Sequence, residues 1–306
     1  MIYLKAQGRF GNQLFQYAFA KYLSNKYEQE ICINFDRVRK NSKSPGDGWE
    51  NGLSYFDIKG YNEIFYKDLK YFWVWMKLKI VRIILKVCHR RNNLHGEKYG
   101  VIYCYEPKMQ IFEKIHNKNI ILDGLFEYSY IVDDVIDEIR NDIFKNNYIS
   151  EKNSKLLEKI SEDNSICVTV RKFDMEDPKF EKFYQKCTVE FYYRGIEYIL
   201  KKYPDANIIV FSDQIQWCRD NLKLEDRFKN SDISYETEGN SISEKLQMMS
   251  RCSHFVISNS TFSWWAQRLS DRKEDRKIVC APIRWNDKYL TKEIGLYCDN
   301  WIMLDN

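Results

Sequence analysis

The chain reads as an α/β protein built from two parallel-sheet domains. Three observations predict this. Short apolar runs of strand type alternate with helical segments, as in chains that build parallel sheets. The alternation stops at a polar stretch, residues 146–155, and then restarts. The chain has 306 residues, which is enough for two such domains. Two sheets in one chain leave a cleft between them, where ligands commonly sit. No internal repeat or low-complexity segment interrupts the pattern.

Residues 2–4 (Ile-Tyr-Leu) form the first strand, which ends at the turn Gly8-Arg9-Phe10-Gly11-Asn12-Gln13. A helix follows over about 14–27, because Leu14, Phe15, Ala18, Phe19, Tyr22 and Leu23 fall on one helical face. Residues 31–33 give a second strand, with Asp36 just past its end. Strand, glycine turn, helix and strand are the opening of a nucleotide-binding α/β domain. Residues 41–70 are rich in loop formers. Residues 71–91 then read as a basic amphipathic helix. Lys79, Arg82, Lys86 and Arg90 share one arc, and Ile80, Val81, Ile84, Leu85, Val87 and Cys88 the other, with Lys77 the exception. Such a helix either packs on its own domain or lies on an anionic membrane surface. Residues 120–124 are a buried-type strand, and 132–144 a charged helix. In the second series the strands are 166–170, 207–211, 254–257 and 277–281. The helices are 189–202, 214–221, 243–250 and 262–269.

Composition narrows the class. Apolar residues make up 44%, ample for a core. A net charge of +4 gives no argument for nucleic acid. The nine cysteines show no C-x-x-C spacing, which fits a reducing compartment and neither a zinc ribbon nor a redox motif. Cys252 and His254 come nearest to a metal pair, without the further ligands that structural zinc requires. The N-terminus lacks the features of a signal peptide, and no apolar run is long enough to span a bilayer. The expected location is therefore the cytoplasm.

Four segments stand at strand ends, where open α/β sheets bind ligands. In the Gly8–Gln13 stretch, glycines permit close backbone approach, and Arg9 and Asn12 offer donors; the spacing is not that of a dinucleotide fingerprint. The strand ending Val168-Thr169-Val170-Arg171-Lys172-Phe173-Asp174 finishes on two cations and a carboxylate. Arginine suits a diphosphate, and an ion pair at the strand end is the alternative. Phe211-Ser212-Asp213 ends on a hydroxyl and a carboxylate, suited to a ribose or base edge, or to capping the next helix. After the apolar run Phe255-Val256-Ile257 comes Ser258-Asn259-Ser260-Thr261-Phe262-Ser263-Trp264-Trp265. A turn of Asn, Ser and Thr at a helix start gathers hydroxyls and amide N–H groups, a setting that holds phosphate well and also serves as an ordinary cap. The two tryptophans suit a core equally. D-x-D spacing is absent, which argues against a metal-bridged diphosphate and leaves the charge to Arg171, Lys172 and the helix start.

These residues carry a resemblance. The stretch 8–17 (GRFGNQLFQY) is similar to the N-terminal signature of glycosyltransferase family eleven, the α-1,2-fucosyltransferases of bacterial surface-polysaccharide pathways. Segments 184–199, 210–222, 248–269 and 281–285 (APIRW) resemble family counterparts in the same order. The resemblance covers most of both domains, with 40–115 matching least. It implies a GT-B fold of two Rossmann-like domains facing a central cleft: 1–150 on the acceptor side and 151–306 binding the nucleotide sugar. It implies GDP-fucose as donor, an oligosaccharide acceptor that could be lipid-linked, inversion at the sugar carbon, and neither cofactor nor metal. The family's H-x-R-R-x-D phosphate motif falls on 169–174. Arg171 and Asp174 match it, Thr169 replaces the His, Lys172 replaces the second Arg, and Phe173 the usual glycine.

On this reading Arg171, Asp174 and Asn12 are the catalytic candidates. Arg9, Lys172, Ser212, Asp213, Asn259, Ser260, Thr261 and Phe262 bind the donor. Asp174 and Asp36 are the candidates for a general base. The expected enzyme is a galactoside α-1,2-fucosyltransferase, with a GT-B transferase of another nucleotide sugar as the alternative. Contact with the inner face of the membrane would run through residues 71–91.

Overall fold

The computed structural model describes residues 1–43, 48–87 (backbone only at 86 and 87), 99–104, 119–145, 148–162, 164–172, 187–273 and 275–306. The chain divides into two units, Met1–Asn146 and Asn147–Asn306. Each contains one parallel sheet.

In the first unit the strands are β1 (Ile2–Lys5), β2 (Ile31–Asn34), β3 (Asn62–Glu63), β4 (Val101–Cys104) and β5 (Ile120–Gly124). They lie in the order β3-β2-β1-β5-β4, all parallel. The longest described helix, α1 (Phe10–Tyr27), starts four residues earlier than the apolar pattern suggested. Most of the Gly8–Gln13 stretch is thus helix rather than turn. The turn itself is confined to Gly8, at φ +77°, and Arg9, the N-cap. A side chain at Gly8 would strike Asn12, whose Nδ2 would lie 2.7 Å from an added Cβ. Helix α2 (Asp36–Arg39) follows β2.

Helix α3 (Phe72–Val87) forms where the sequence placed a helix, as far as it is described; residues 88–91 lie outside the described set. Its surfaces differ from the two arcs of the wheel. Leu78, Val81 and Leu85 are buried against Tyr3, Cys32 and Ile121 of the sheet, whereas Phe72, Trp73, Ile80, Ile83 and Ile84 are exposed. The helix is therefore apolar on two faces. The charged helix predicted at 132–144 is broken into α4 (Ser129–Asp133) and α5 (Ile136–Phe144).

The second unit opens with α6 (Ser154–Ser161), inside and beyond the stretch read as a linker. Strands β6 (Ser165–Val170), β7 (Asn207–Ser212), β8 (Ile233–Tyr235), β9 (His254–Val256), β10 (Val279–Pro282) and β11 (Ile302–Leu304) form a parallel sheet, ordered β11-β10-β9-β6-β7-β8. Four helices accompany them: α7 (Val189–Leu200), α8 (Ile215–Leu222), α10 (Ile242–Ser250) and α11 (Thr261–Arg268), with α9 (Leu224–Arg227) a single turn. Thr188 caps α7, its hydroxyl accepting the Phe191 N–H at 3.2 Å, and Ser241 with Glu244 forms a capping box on α10. The sheet's core packs Ile166, Val168, Ile208, Val210, Val256 and Cys280 against Phe191, Ile196 and Ile199 of α7. That contact requires Gly195. A Cβ there would lie 2.6 Å from Val256 Cγ1, closer than packed carbons approach.

Candidate active site

In the second unit the chain leaves β6 in two directions. β7 and β8 add to one side, and β9, β10 and β11 to the other. The boundary between β6 and β9 is a topological switch point, and the crevice at the carboxyl ends of those strands is where open α/β sheets take ligands. Arg171 is the first residue past β6, and Ser258, Asn259 and Ser260 lead from β9 into α11. The sheet thus brings the predicted cation and the predicted helix start together from 87 positions apart in the chain, counting from 171 to 258.

A buried hydroxyl joins the two strand ends. Thr169 Oγ1 accepts the Ser258 N–H at 3.0 Å and lies 3.5 Å from the Val256 carbonyl oxygen, to which it donates. Ser258 Oγ is 3.3 Å from Ser263 Oγ, one turn into α11. Asn259 is buried and its amide donates to the Trp285 carbonyl at 3.0 Å. Ser260, Thr261 and Phe262, at the tip of the helix, are half-exposed. A helix start of this length collects amide dipoles that favour an anion. Behind it Trp264 and Trp265 are fully buried, and Trp264 Nε1 donates to the Leu296 carbonyl at 2.7 Å, so the tryptophans are core.

Arg171 is oriented by a neighbour. Its Nη1 lies 2.8 Å from Asp213 Oδ2, at the end of β7, and Asp213 Oδ1 accepts the Lys172 N–H at 3.0 Å. Both Asp213 oxygens are engaged in holding the β6 end. The Lys172 ammonium sits 3.5 Å from the centre of the Trp217 ring on α8, a cation–π contact. The Ser212 hydroxyl donates to the Val170 carbonyl at 2.8 Å and accepts the Gln214 N–H at 2.9 Å.

Two residues missed by the sequence reading support this corner. Glu236 Oε1 accepts the Ser212 N–H at 2.7 Å and pairs with Lys245 Nζ at 2.9 Å, while Lys245 also donates to the Ser212 carbonyl at 3.0 Å. Burial raises the Glu236 carboxyl, and Lys245 opposes that shift. The missing signal was β8, a three-residue strand too short to stand out. Asp174 and Phe173 lie outside the described residues.

The first-unit candidates have different surroundings. Arg9 lies over the Trp49 ring, 5.7 Å from its centre, and Asn12 sits half-exposed on the first turn of α1. Asp36 accepts from the Tyr66 N–H at 2.7 Å and from Asn34 Nδ2 at 3.0 Å, so its carboxylate holds a loop. Two glutamines in the same stretch organise the turn. Gln13 Nε2 donates to the Gly8 and Glu50 carbonyls, and its Oε1 accepts the Gly52 N–H at 2.8 Å. Gln16 brackets the Gln7 backbone in the same way. Among the described residues, no group of three or more His, Cys, Asp or Glu side chains is placed to hold a metal ion. His254 Nδ1 accepts the Ile278 N–H at 3.2 Å, a structural use of that ring.

The model of one protein family, described as glycosyl transferase family 11, matches residues 1–305. The chain belongs to glycosyl transferase family 11. Within that family it is similar to the O-antigen biosynthesis glycosyltransferase WbnK of Escherichia coli, with 27% identity over 324 residues covering 99% of this chain and all of the relative. It is also similar to an alpha-1,2-colitosyltransferase of E. coli, with 28% identity over 143 residues, 46% of this chain and 48% of that one. The fold is similar to that of the fucosyltransferase NodZ from Bradyrhizobium, at 16% identity and a TM-score of 0.50, over 88% of this chain and 92% of that one. A structure of NodZ alpha-1,6-fucosyltransferase co-crystallized with GDP gives a TM-score of 0.51 at the same identity and coverage. This family 11 glycosyltransferase has the two Rossmann-like units of the GT-B type.

Proposed function

We propose that this family 11 enzyme transfers L-fucose from GDP-fucose to a galactoside hydroxyl. The product is an α-1,2 linkage in a surface polysaccharide such as O-antigen or capsule. One observation carries the reading: in a chain that matches the family end to end, a clamped arginine and a helix tip meet at the switch point of one sheet. The O-antigen relative supports the pathway, the colitosyl relative supports an α-1,2 linkage, and the NodZ structure co-crystallized with GDP supports the nucleotide. The colitosyl relative also favours one alternative, transfer of a different sugar from its nucleotide.

The Asn147–Asn306 unit holds the donor, and the Met1–Asn146 unit serves the acceptor, with Arg9 and Asn12 on that side. The chemistry is a single displacement. The acceptor oxygen bonds to the anomeric carbon as the bond to the β-phosphate oxygen breaks, and the acceptor proton leaves to a base. Negative charge grows on the β-phosphate, and a positioned guanidinium with helix-tip amides stabilises it without reorganising. Arg171 donates to that charge, with the hydroxyls and N–H groups of Ser260 and Thr261, and Asn259 and Phe262 shape the tip. Lys172 adds a point charge. The engagement of Asp213 with Arg171, and of the Ser212 hydroxyl with the Val170 carbonyl of β6, favours positioning roles for both over contact with the nucleoside. No divalent ion enters the scheme. Calorimetry with GDP and GDP-fucose, followed by a panel of labelled donors with and without chelator, tests it. Absent GDP binding, or turnover abolished by chelator, would overturn it.

Membrane contact is part of this proposal. No described helix is long and apolar enough to cross a bilayer. Helix α3, however, exposes Trp73 at 76%, along with Ile80, Ile83 and Ile84, beside an open groove of about 460 Å³ lined by Met76, Lys77 and Tyr99. No acidic residue occurs within α3, which carries Lys77, Lys79 and Arg82 along its length, Arg82 being half-exposed and 3.6 Å from Asp123 of β5. An anionic lipid surface complements both features, and suits a lipid-linked acceptor. Changing Lys79, Arg82 and Lys86 to Glu should stop co-sedimentation with anionic vesicles; undiminished pelleting would refute it.

A further inference from the structure

The sheet of Met1–Asn146 has a switch point of its own. The chain runs from β1 outward to β2 and β3, then returns to place β4 and β5 on the other side, so the reversal falls between β1 and β5. Gln7 lies two residues past β1, and Glu127 three residues past β5, at the same carboxyl edge. Both are more than nine-tenths buried, with 8% and 9% exposure.

Gln7 carries an unmet donor, and among the described residues no hydrogen bond or ion pair reaches Glu127. The backbone N–H and carbonyl of Gln7 are both taken by the Gln16 side chain, at 3.0 and 2.9 Å, which fixes the residue in place, yet Gln7 Nε2 meets no acceptor. Glu127 faces no described cation or donor. The titratable groups beside it are the Cys104 thiol and the Tyr128 hydroxyl, 2.9 Å apart and both raised by burial, so both stay neutral near pH 7. The turn that aims Glu127 is locked as well. Phe126 adopts φ +55°, a left-handed conformation that a bulky residue takes only where its surroundings hold it, and its ring stacks on Phe19 at 4.4 Å. Leaving a buried amide N–H without an acceptor, and burying a carboxyl that no described cation pairs, both disfavour folding. Such strain and such unmet groups, gathered at a switch point, mark a ligand site.

The donor and acceptor character identifies the ligand class. An amide nitrogen donates and a carboxylate accepts; a sugar hydroxyl does both. An anion is repelled by the carboxylate, and a cation finds only one charge and an opposing amide dipole. We propose that Gln7 and Glu127 bind hydroxyl groups of the acceptor sugar, Glu127 accepting a hydrogen bond and Gln7 Nε2 donating one. This rests on the glycosyl-transfer reading for the word acceptor, but its test does not require turnover. Burial pushes the Glu127 carboxyl from its ordinary 4.5 up to about 7, so recognition should be strongest above neutrality.

The test is titration of the full-length protein, with GDP present, by lactose and by methyl β-galactoside, followed by ligand-observed NMR at about pH 6 and pH 8. Wild-type affinity should fall several-fold at the lower pH. Glu127→Gln should weaken sugar binding about tenfold at the higher pH, as loss of a hydrogen bond to a charged group does, and should remove the pH dependence. Gln7→Met should weaken it too. GDP affinity should be unchanged in both variants, and Glu127→Gln should melt no lower than wild type, which a merely structural carboxylate would not allow. Equal sugar affinity and pH dependence in Glu127→Gln and wild type would overturn the proposal, as would failure of both sugars to bind the GDP-loaded protein. Failure of GDP itself to bind would instead sink the donor reading, and the sugar titration then decides the Gln7–Glu127 site alone.

Discussion

Replacing Arg171 with Ala separates a catalytic role from a structural one. The Arg171–Asp213 pair is 2.8 Å long, with both side chains about a quarter exposed (24% and 22%). A pair so open to solvent contributes on the order of 0.2–1 kcal/mol to stability. The same guanidinium facing the leaving phosphate would supply about 3 kcal/mol to the transition state, the usual worth of one preorganised donor. At 1.36 kcal/mol per tenfold, that is a loss of about 150-fold in kcat/KM. The variant should therefore be nearly as stable as wild type and nearly inactive. Arg171→Lys keeps the charge but not the fork, and should fall between the two, about tenfold down. Asp213→Ala releases the clamp while leaving the guanidinium, and should lower activity less than Arg171→Ala. Initial rates with GDP-fucose and a galactoside acceptor, beside urea unfolding of each variant, measure both quantities. Unchanged kcat/KM in Arg171→Ala would refute the assignment. So would a loss of activity matched by a collapse in stability.

Three further outcomes follow from the same geometry. Thr169→Val keeps the shape but strands the buried Ser258 N–H, and should cost about 1–3 kcal/mol in urea unfolding and weaken GDP binding; wild-type stability would remove Thr169 as the tie between β6 and α11. Gly195→Ala drives a methyl within 2.6 Å of Val256 Cγ1, and should destabilise by about 1–3 kcal/mol, with partial recovery in the double variant carrying Val256→Ala. Burial holds the His254 imidazole down to about 4 from its ordinary 6.5, with Arg272 and Lys202 adding to the shift. Its contribution is thus fully present above pH 6.5 and lost as pH falls through 4. Denaturation midpoints from pH 7.5 down to 4 should decline in wild type and decline less in His254→Gln; equal slopes would show that other groups carry the effect.

Much of the second unit was legible from the chain alone, because β6, β7, β9 and β10 contain apolar runs that stand out, whereas the three-residue β8 and β11 do not. Val168 to Lys172 and Phe255 to Thr261 announced themselves as strand ends, and the fold places them side by side. What the sequence did not show was the pairing. Asp213 looked like a nucleoside ligand and lies against Arg171. Ser212 looked like a nucleoside ligand or a cap, and its hydroxyl donates to Val170 at the end of the neighbouring strand β6. Hydrogen-bond direction depends on tertiary register, which composition does not encode. In the first unit the helix start was misplaced because Phe10 and Gly11 read as turn; Gln13 and Gln16 bind the surrounding loops and let the helix begin at Phe10. Helix α3 misled in another way. Its wheel put Ile80, Val81, Ile84 and Leu85 on one arc, but the sheet covers Val81 and Leu85, together with Leu78, and leaves Ile80 and Ile84, with Ile83, outside.

The two sheets repeat one topological device with opposite chemistry, and that contrast argues for a division of labour. Each reverses its strand order beside its first strand, so each has a crevice at its carboxyl edge. In the second unit the crevice carries a clamped guanidinium and a helix tip, groups that favour a diphosphate and gain little from a neutral sugar. In the first it carries an amide with an unmet donor and a carboxyl that no described residue pairs; the ionised carboxyl would repel a diphosphate, and the two together suit hydroxyls. Were the donor bound in the first unit instead, its phosphates would meet Glu127, whose charge appears as pH rises through about 7. Donor affinity would then weaken with rising pH, and Glu127→Gln would tighten GDP binding. If nucleotide is held in the second unit, GDP affinity should be indifferent to Glu127 and fall with Arg171→Ala. Calorimetry of GDP with these two variants at about pH 6 and pH 8 therefore assigns the donor to one sheet or the other, without any knowledge of the acceptor.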